Sequence, residues 1–175
     1  MNIRKATEND IRQIASIYSA IHTEEEKGRA VIGWKRNIYP VEGNARDAVY
    51  RGDLFVMEEE GEIVASAIIN QIQVPEYADC PWKYRAADPE VMVLHTLVVS
   101  PDKKGHGYGT AFVDFYEQYA KEHHCPFLRM DTNVINHAAR KLYARLGYSE
   151  PGIVHCVFNG IAGVQLVCLE KRIDL

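Results

Sequence analysis

The sequence is poor in cysteine, and the few cysteines that it has form no recognisable pattern. They are Cys80, Cys125, Cys156 and Cys168. None are spaced as a Cys-x-x-Cys pair, and a disulfide framework of the secreted kind needs a denser set, so we expect reduced thiols. The run from His123 to Cys125 is not a metal site by itself, because adjacent residues of a helix point in different directions. We expect no bound metal.

Long apolar runs and an excess of basic charge are also lacking. No uncharged stretch is long enough to span a bilayer, and the residues after Met1 contain no apolar core of a signal peptide. The net charge of -4 argues against a nucleic-acid binder, whose affinity would come mostly from clustered Lys and Arg. We therefore expect a cytoplasmic protein with no nucleic-acid partner and no membrane partner.

Apolar residues are plentiful and make up 47% of the 175 residues. That is enough to bury one substantial core but short for two ordinary domains, so we expect a single domain over residues 1–175. Hydrophobic periodicity alternates between strand and helix patterns along the chain. It predicts strands over residues 2–6, 54–57, 63–72, 91–99, 127–132, 153–158 and 164–170. It predicts helices over residues 7–24, 44–51, 109–123 and 137–146.

This order of elements, β-α-α-β-β-β-α-β-α-β-β, predicts an α/β fold of the α+β kind, with about seven strands and about four helices. Thr7 and Asp10 have the spacing of a helix N-terminal capping pair. Gly52 and Gly147 stand where a left-handed residue ends a helix. The segment Pro75–Glu90 has no regular pattern, and its aromatic residues either line a pocket or cover the edge of the core.

A glycine-rich turn follows the most apolar strand, with glycines at positions 105, 107 and 109 directly before a predicted helix. Glycine lets the backbone approach a ligand closely, and the free N–H groups at a helix start form an anion site that suits a pyrophosphate. A P-loop is excluded because Gly-Lys-Ser/Thr is missing, and the dinucleotide fingerprint needs glycine where Thr110 stands. Taken alone, the turn is also compatible with merely packing the helix onto the strand.

Two motifs resemble the GNAT superfamily of N-acetyltransferases. Lys104-x-x-Gly107-x-Gly109, after Val99-x-Pro101, is similar to the coenzyme-binding motif Arg/Gln-x-x-Gly-x-Gly/Ala of that family. The later segment Asn136-x-Ala-Ala-x-x-Leu-Tyr143-x-x-Leu-Gly-Tyr148 is similar to its Asn, Ala, Leu-Tyr and Leu-Gly-Phe/Tyr signature. The resemblance covers nearly the whole chain in element order, and the two motifs together are much more specific than either alone.

The resemblance implies a mixed, mostly antiparallel sheet that is splayed between strands 4 and 5, with acetyl-CoA bound in the gap. The strand backbone would hydrogen-bond the pantetheine arm, the glycine turn would hold the pyrophosphate, and Asn136 would contact the arm near the thioester. The coenzyme-binding residues implied in this way are Leu97, Val98, Val99, Lys104, Gly105, His106, Gly107, Tyr108, Gly109, Thr110, Asn136 and Tyr143. Lys104 departs from the usual Arg or Gln, and an ammonium binds phosphate without the oriented fork of a guanidinium.

Acetyl transfer to an amine needs a proton acceptor, because a lysine-like amine has a pKa of roughly 10.4 and is mostly charged at neutral pH. The resemblance implies that Tyr143 is the acid that protonates the leaving thiolate, with a packed helix tyrosine as the structural alternative. His95 and Asp131 are the candidate bases, alone or through water. The alternatives are a core histidine bonded to a backbone carbonyl and an aspartate that caps a turn.

Two functions are compatible with these features. The first is an acetyl-CoA-dependent N-acetyltransferase in which a primary amine of a small molecule, an amino acid derivative or a protein attacks the thioester directly. The alternative is a sensor module that binds acetyl-CoA without turnover. If the protein is an acetyltransferase, its partner is an amine acceptor. The closing hairpin around Asn159-Gly160 also makes a homodimer possible, because edge strands pair readily.

Overall fold

The computed structural model describes all 175 residues of the chain. The strands are β1 (Asn2–Lys5), β2 (Leu54–Glu59), β3 (Glu62–Asn70), β4 (Val91–Val99), β5 (Phe127–Asn133), β6 (Ser149–Phe158) and β7 (Ile161–Arg172). The helices are α1 (Ile11–Glu26), α2 (Glu42–Arg51), α3 (Tyr108–Glu122) and α4 (His137–Arg145). The predicted element order is confirmed. No helix in the structure has the length and apolar character that crossing a membrane requires.

All seven strands form one sheet in the order β1-β2-β3-β4-β5-β7-β6. Only β4 and β5 run parallel, and α3 makes the crossover that joins them. Every other neighbouring pair is antiparallel. The sheet is therefore mixed and mostly antiparallel, as the family resemblance implied.

The predicted splay between β4 and β5 is confirmed, and its cause is a bulge. The two strands pair from Val91 opposite Phe127 to Leu94 opposite Met130, and then part. On the other side of β4, the register with β3 shifts by one residue beyond His95, and Thr96 there has a φ of 50°. An extra residue of this kind bends a strand and ends its pairing, so residues 95–99 of β4 diverge from β5.

Helices cover one face of the sheet, and helices and loops together cover the other. α3 and α4 bury Phe112 and Tyr116 against β4, β5 and β7. On the opposite face, α1 buries Ile14 and Tyr18 against β2 and β3, while the segment around Tyr77 packs on β6 and β7. The two faces are separated everywhere by paired strands except at the splay.

Several predicted boundaries differ from the observed ones for local reasons. Glu8–Asp10 form a short 3₁₀ turn before α1, in which the Asp10 carboxylate accepts the Thr7 backbone N–H at 2.7 Å. Gly52 and Gly147 have φ values of 76° and 87°, as their predicted capping roles require. β6 begins at Ser149, before its prediction, because pairing with β7 continues through a register shift at residues 149–152.

A buried tyrosine of α3 joins β4 to β5 where they still pair. The Tyr116 hydroxyl, on a side chain with no exposed surface, lies 2.6 Å from the Met92 carbonyl and 3.2 Å from the Arg129 carbonyl. One hydroxyl proton therefore serves two strands. The two strands are paired around this contact, and they part beyond Leu94.

We expect Tyr116→Phe to destabilise the fold by about 1 to 2 kcal/mol, because it leaves two buried carbonyls without this donor. For a chain of this size, the melting temperature should fall by roughly 2 to 4 °C per kcal/mol. Tyr119→Phe is the matched control, since Tyr119 lies one turn further along α3 and is half-buried. Equal melting temperatures for the two variants would show that the Tyr116 hydroxyl does not hold the strands.

Candidate active site

A cavity of about 550 Å³ lies in the gap between β4 and β5. Its walls are residues 94–99 of β4, residues 131–133 at the end of β5 and the start of α4 at residues 136–139. The connection between α1 and α2 covers it with residues 29–34, and the β6–β7 hairpin contributes Phe158, Asn159 and Ile161. The cavity therefore lies where the bulge at Thr96 parts the two strands.

The glycine turn directly follows Lys104, which lines this cavity, and presents free backbone donors. Gly105 and Gly107 have φ values of 88° and 78°, a region that favours glycine. The first backbone bond of α3 runs from the Ala111 N–H to the Gly107 carbonyl at 3.0 Å. The N–H groups from Gly107 to Thr110 donate to no acceptor in the protein. With the dipole of a 15-residue helix behind them, they fit the pyrophosphate of a nucleotide coenzyme.

Two predicted ligand residues in the turn direct their side chains elsewhere. His106 Nδ1 donates to the Lys103 carbonyl at 3.0 Å, and its ring stacks on Tyr108 with 5.6 Å between centroids. Tyr108 is buried, and its hydroxyl donates to the Glu59 carboxylate. The turn therefore offers a ligand the backbone of these residues rather than their rings.

The remaining predicted coenzyme residues line the gap in different ways. Leu97 and Val99 pack towards α3 and α4, whereas the Val98 side chain is buried on the α1 face. The edge of β4 that carries them faces β5 without pairing to it. Asn136 is the N-cap of α4, where its Oδ1 accepts the Ala139 N–H at 3.1 Å, which leaves its amide NH₂ free to donate. Gly109 lets the two helices approach, since a Cβ there would lie 3.3 Å from Leu142 Cδ2.

Asp131 and Tyr143 open onto this cavity from opposite faces of the sheet. Asp131 stands opposite Cys168 on the face that packs around Tyr77, while Tyr143 belongs to the core beneath α3 and α4. The Tyr143 hydroxyl makes no hydrogen bond in the protein, although the residue is only 7% exposed. Only at the splay can side chains from the two faces reach one space.

The electrostatics of these two groups suit proton transfer. Burial raises the pKa of Asp131 to about 6. A hydrogen bond of 2.7 Å from the Tyr77 hydroxyl lowers this pKa in part, and the charge of Glu76 raises it. Burial, followed by the nearby charge of Asp131, raises the pKa of Tyr143 well above its usual value. At neutral pH, Asp131 is therefore an anion that gains a proton readily, and Tyr143 stays a protonated donor.

His95 lies in the same wall but is engaged in a different network. Its Nε2–H donates to Asn70 Oδ1 at 3.0 Å, the Asn70 amide donates to Asp53 at 2.8 Å, and Arg51 donates to Asp53 at 2.9 Å. Burial lowers the pKa of His95 to about 4. The ring is therefore neutral at pH 7 and a weaker base than Asp131.

The segment between α1 and α2, residues 27–41, was not predicted to form part of the site. Three consecutive glutamates of the last turn of α1 hold it in place, each at a different point. Glu24 pairs with Arg29 at 2.6 Å, Glu26 pairs with Arg36 at 2.8 Å, and Glu25 accepts the backbone N–H groups of Ile32 and Gly33 at 2.6 and 2.9 Å. We call this segment the strap. The Glu-Glu-Glu run, followed by two arginines at irregular spacing, is the sequence signal for it.

Aromatic residues of two irregular segments line or support the cavity, and the sequence analysis pointed only to those of Pro75–Glu90. Trp34 and Tyr39 of the strap meet edge to face with 6.1 Å between their centroids. The Tyr39 hydroxyl bonds the Thr96 hydroxyl at the bulge. Tyr77, from the segment predicted either to line a pocket or to cover the core, holds Asp131. Trp82 of that segment instead stacks on the Arg129 guanidinium at 4.2 Å.

Known proteins resemble this chain in sequence. A relative from Bacillus subtilis, described as an uncharacterised N-acetyltransferase, is 24% identical over 91% of this chain and 97% of its own length. An uncharacterised N-acetyltransferase of Methanocaldococcus jannaschii is 34% identical over 43% of this chain. The match spans only 34% of the length of that relative.

Solved structures share the fold over the full length. A GNAT-family acetyltransferase of Streptococcus agalactiae superposes with a TM-score of 0.81 at 23% identity, covering 99% of this chain and 96% of the other. A Salmonella typhimurium protein solved with its cofactor acetyl-CoA has a TM-score of 0.70 at 17% identity, covering 100% and 95%. Residues 12–148, more than half of the chain, match the acetyltransferase (GNAT) family. The chain belongs to the GNAT family of acetyltransferases.

Proposed function

We propose that the protein transfers the acetyl group of acetyl-CoA to a primary amine of a small molecule, an amino acid derivative or a protein, which attacks the thioester directly. The observation that carries this proposal is the meeting of Asp131 and Tyr143 from opposite faces of the sheet in one cavity. That cavity reaches Lys104, the residue before the glycine turn, whose N–H groups have no acceptor in the protein. A proton acceptor and a proton donor thus share one space, and a candidate anion site follows the wall residue Lys104 in the chain.

The glycine turn and the free edge of β4 are the groups that would hold the coenzyme. The N–H groups of Gly107 to Thr110, with the ammonium of Lys104 beside them, would bind the pyrophosphate. The backbone of Leu97 and Val99 would pair with the amides of the pantetheine arm as an added strand would. The coenzyme supplies the acetyl group as a thioester. The acetyl-CoA in the Salmonella typhimurium structure of the same fold supports this assignment.

Asp131 and Tyr143 divide the proton transfers between them. Asp131, with a pKa of about 6, would accept the proton that the bound ammonium must lose before it attacks. Tyr143, kept protonated by burial, would donate its hydroxyl proton to the sulfur as the thiolate leaves, and would regain a proton from the attacking nitrogen. His95, with a pKa of about 4 and its Nε2–H bonded to Asn70, would hold the wall in place.

Acetyl-CoA is expected to raise the melting temperature, whereas ATP and NAD are not. Ligand at a hundredfold over its dissociation constant stabilises by about 2.7 kcal/mol, which at roughly 2 to 4 °C per kcal/mol is easily measured. Lys104→Glu should shrink the shift because it reverses a charge beside the anion site. Lys121→Glu, at the far end of α3, is the control and should leave it intact. An equal shift with ATP, or none at millimolar acetyl-CoA, would refute the coenzyme assignment.

Asp131→Asn and Tyr143→Phe should each lower kcat about 10²-fold or more, and Asp131→Asn should leave acetyl-CoA binding intact. In the parent protein, kcat/KM should fall as the pH is lowered through about 6, because protonated Asp131 cannot accept a proton. The measurement is release of the coenzyme A thiol with a panel of amines. Tight binding of acetyl-CoA with no transfer to any amine, in the parent protein as in both variants, would favour the sensor instead.

The raised pKa of Asp131 also predicts a stability effect. The unfolded carboxyl has a pKa of about 3.9, so the fold binds the proton more tightly. This group therefore favours the fold below about pH 4, and the benefit is lost as the pH rises through about 6. Asp131→Asn mimics the protonated form and should raise the melting temperature by roughly 2 °C or more at pH 7.5, but hardly at pH 3.5, where the carboxyl is mostly protonated in both states. An unchanged melting temperature at pH 7.5 would contradict the burial of this charge.

A further inference from the structure

The half of the cavity on the Asp131 face, which we call the acceptor half, is lined by apolar and aromatic side chains. Those that carry the argument are Trp34, Tyr39, Val74, Phe158, Val164 and Leu166. Val164 and Leu166 are buried in the same cluster as Tyr77, and Tyr39, Val74 and Phe158 pack against that cluster. A molecule bound there would bury its body against hydrocarbon and aromatic rings.

The charges around the acceptor half are nearly all negative. Asp131 opens into it, and the charge of Glu76 is close enough to raise the pKa of Asp131. The only Arg and Lys side chains that line the cavity are Arg29 and Lys104. Lys104 belongs to the glycine turn, and Arg29 is paired with Glu24 at 2.6 Å. Arg51, behind His95, is held by Asp53 at 2.9 Å. No unpaired cation therefore faces the acceptor half.

The strap covers the acceptor half by contacting β5 and the β6–β7 hairpin. The Gly33 backbone lies so close to β5 that a Cβ there would be 2.4 Å from Asn133 Nδ2. The strap also meets the β6–β7 hairpin, since a Cβ on Gly160 would lie 3.2 Å from Ile38 Cγ2. Because the strap covers it, the acceptor half admits a small molecule more readily than an extended peptide. The backbone amides of a peptide would also find few polar partners among these side chains.

Resting on the proposed function, we infer that the acceptor is a small primary amine with an apolar body, an aralkylamine or alkylamine, that carries no anionic group beside the amine. Asp131 attracts the ammonium form, and the aromatic walls take up the body. A carboxylate or phosphate next to the amine would lose its hydration beside two carboxylates, with no cation to compensate. The acceptor half would therefore select its amine by charge as much as by size.

Phenethylamine, phenylalaninamide and phenylalanine test this inference, because they share one body and differ only beside the amine. A peptide with N-terminal phenylalanine is the fourth acceptor, and thiol release from acetyl-CoA is measured for each. We expect kcat/KM for phenethylamine to exceed that for phenylalanine at least tenfold, with the neutral amide in between and the peptide lowest. Phenylalanine or the peptide as the best acceptor would overturn the inference and leave the acetyltransferase activity standing. No transfer to any amine would instead refute the proposed function.

A charge introduced into the acceptor half should change this preference. Val74→Arg places a guanidinium at its wall and should raise the ratio of kcat/KM for phenylalanine over phenethylamine at least tenfold. Ile72→Arg, two residues away, is the control, because Ile72 is 56% exposed and does not line the cavity. It should leave the ratio unchanged. The acetyl-CoA melting shift confirms that both variants fold, and equal ratios for both would contradict the assigned position of the acceptor.

Discussion

The interruption of pairing between β4 and β5 is the constraint on which the rest of the site depends. Thr96 adopts a φ of 50°, an uncommon conformation for a β-branched residue that costs on the order of 1 to 3 kcal/mol. The hydroxyl of Tyr39 bonds the Thr96 side chain, and Tyr116 clamps the two strands just before they part. The strained bulge is thus supported on both sides. It frees the backbone edge of β4 and joins the two faces of the sheet.

The buried carboxylates of this protein show how differently the fold treats the same group. Asp10 is bound by Arg4 at 2.8 Å, and this partner lowers the pKa of the Asp10 carboxyl to about 2. Asp53 forms an ion pair with Arg51 at 2.9 Å, while buried Glu170 accepts the Lys83 backbone N–H at 2.8 Å. Asp131 has a tyrosine hydroxyl and no cation, and burial raises its pKa. The three structural carboxylates are held by arginines or by backbone N–H groups, whereas the carboxylate in the cavity is left basic, a pattern typical of functional sites.

The sequence predicted the framework well because its signals are local. The element order, the caps at Gly52 and Gly147 and the donor-rich turn before α3 follow from neighbouring residues. The acceptor half could not be predicted in this way. Tyr39 reaches Thr96, which is 57 positions away, and Tyr77 reaches Asp131, 54 positions away, from segments without periodicity. The low pKa of His95 depends likewise on burial and on its Asn70 contact, which no spacing in the sequence reveals.

The placement of Asp131 and Tyr143 on opposite faces of one sheet has a consequence for the order of events. In the proposed reaction, a donor lying along β4 on the Tyr143 side and an acceptor entering beside Asp131 would occupy separate halves of the cavity, so neither would have to depart before the other arrives. No nucleophilic side chain would then need to carry the acetyl group between them. Such a reaction would pass through a ternary complex, which gives intersecting rather than parallel double-reciprocal lines.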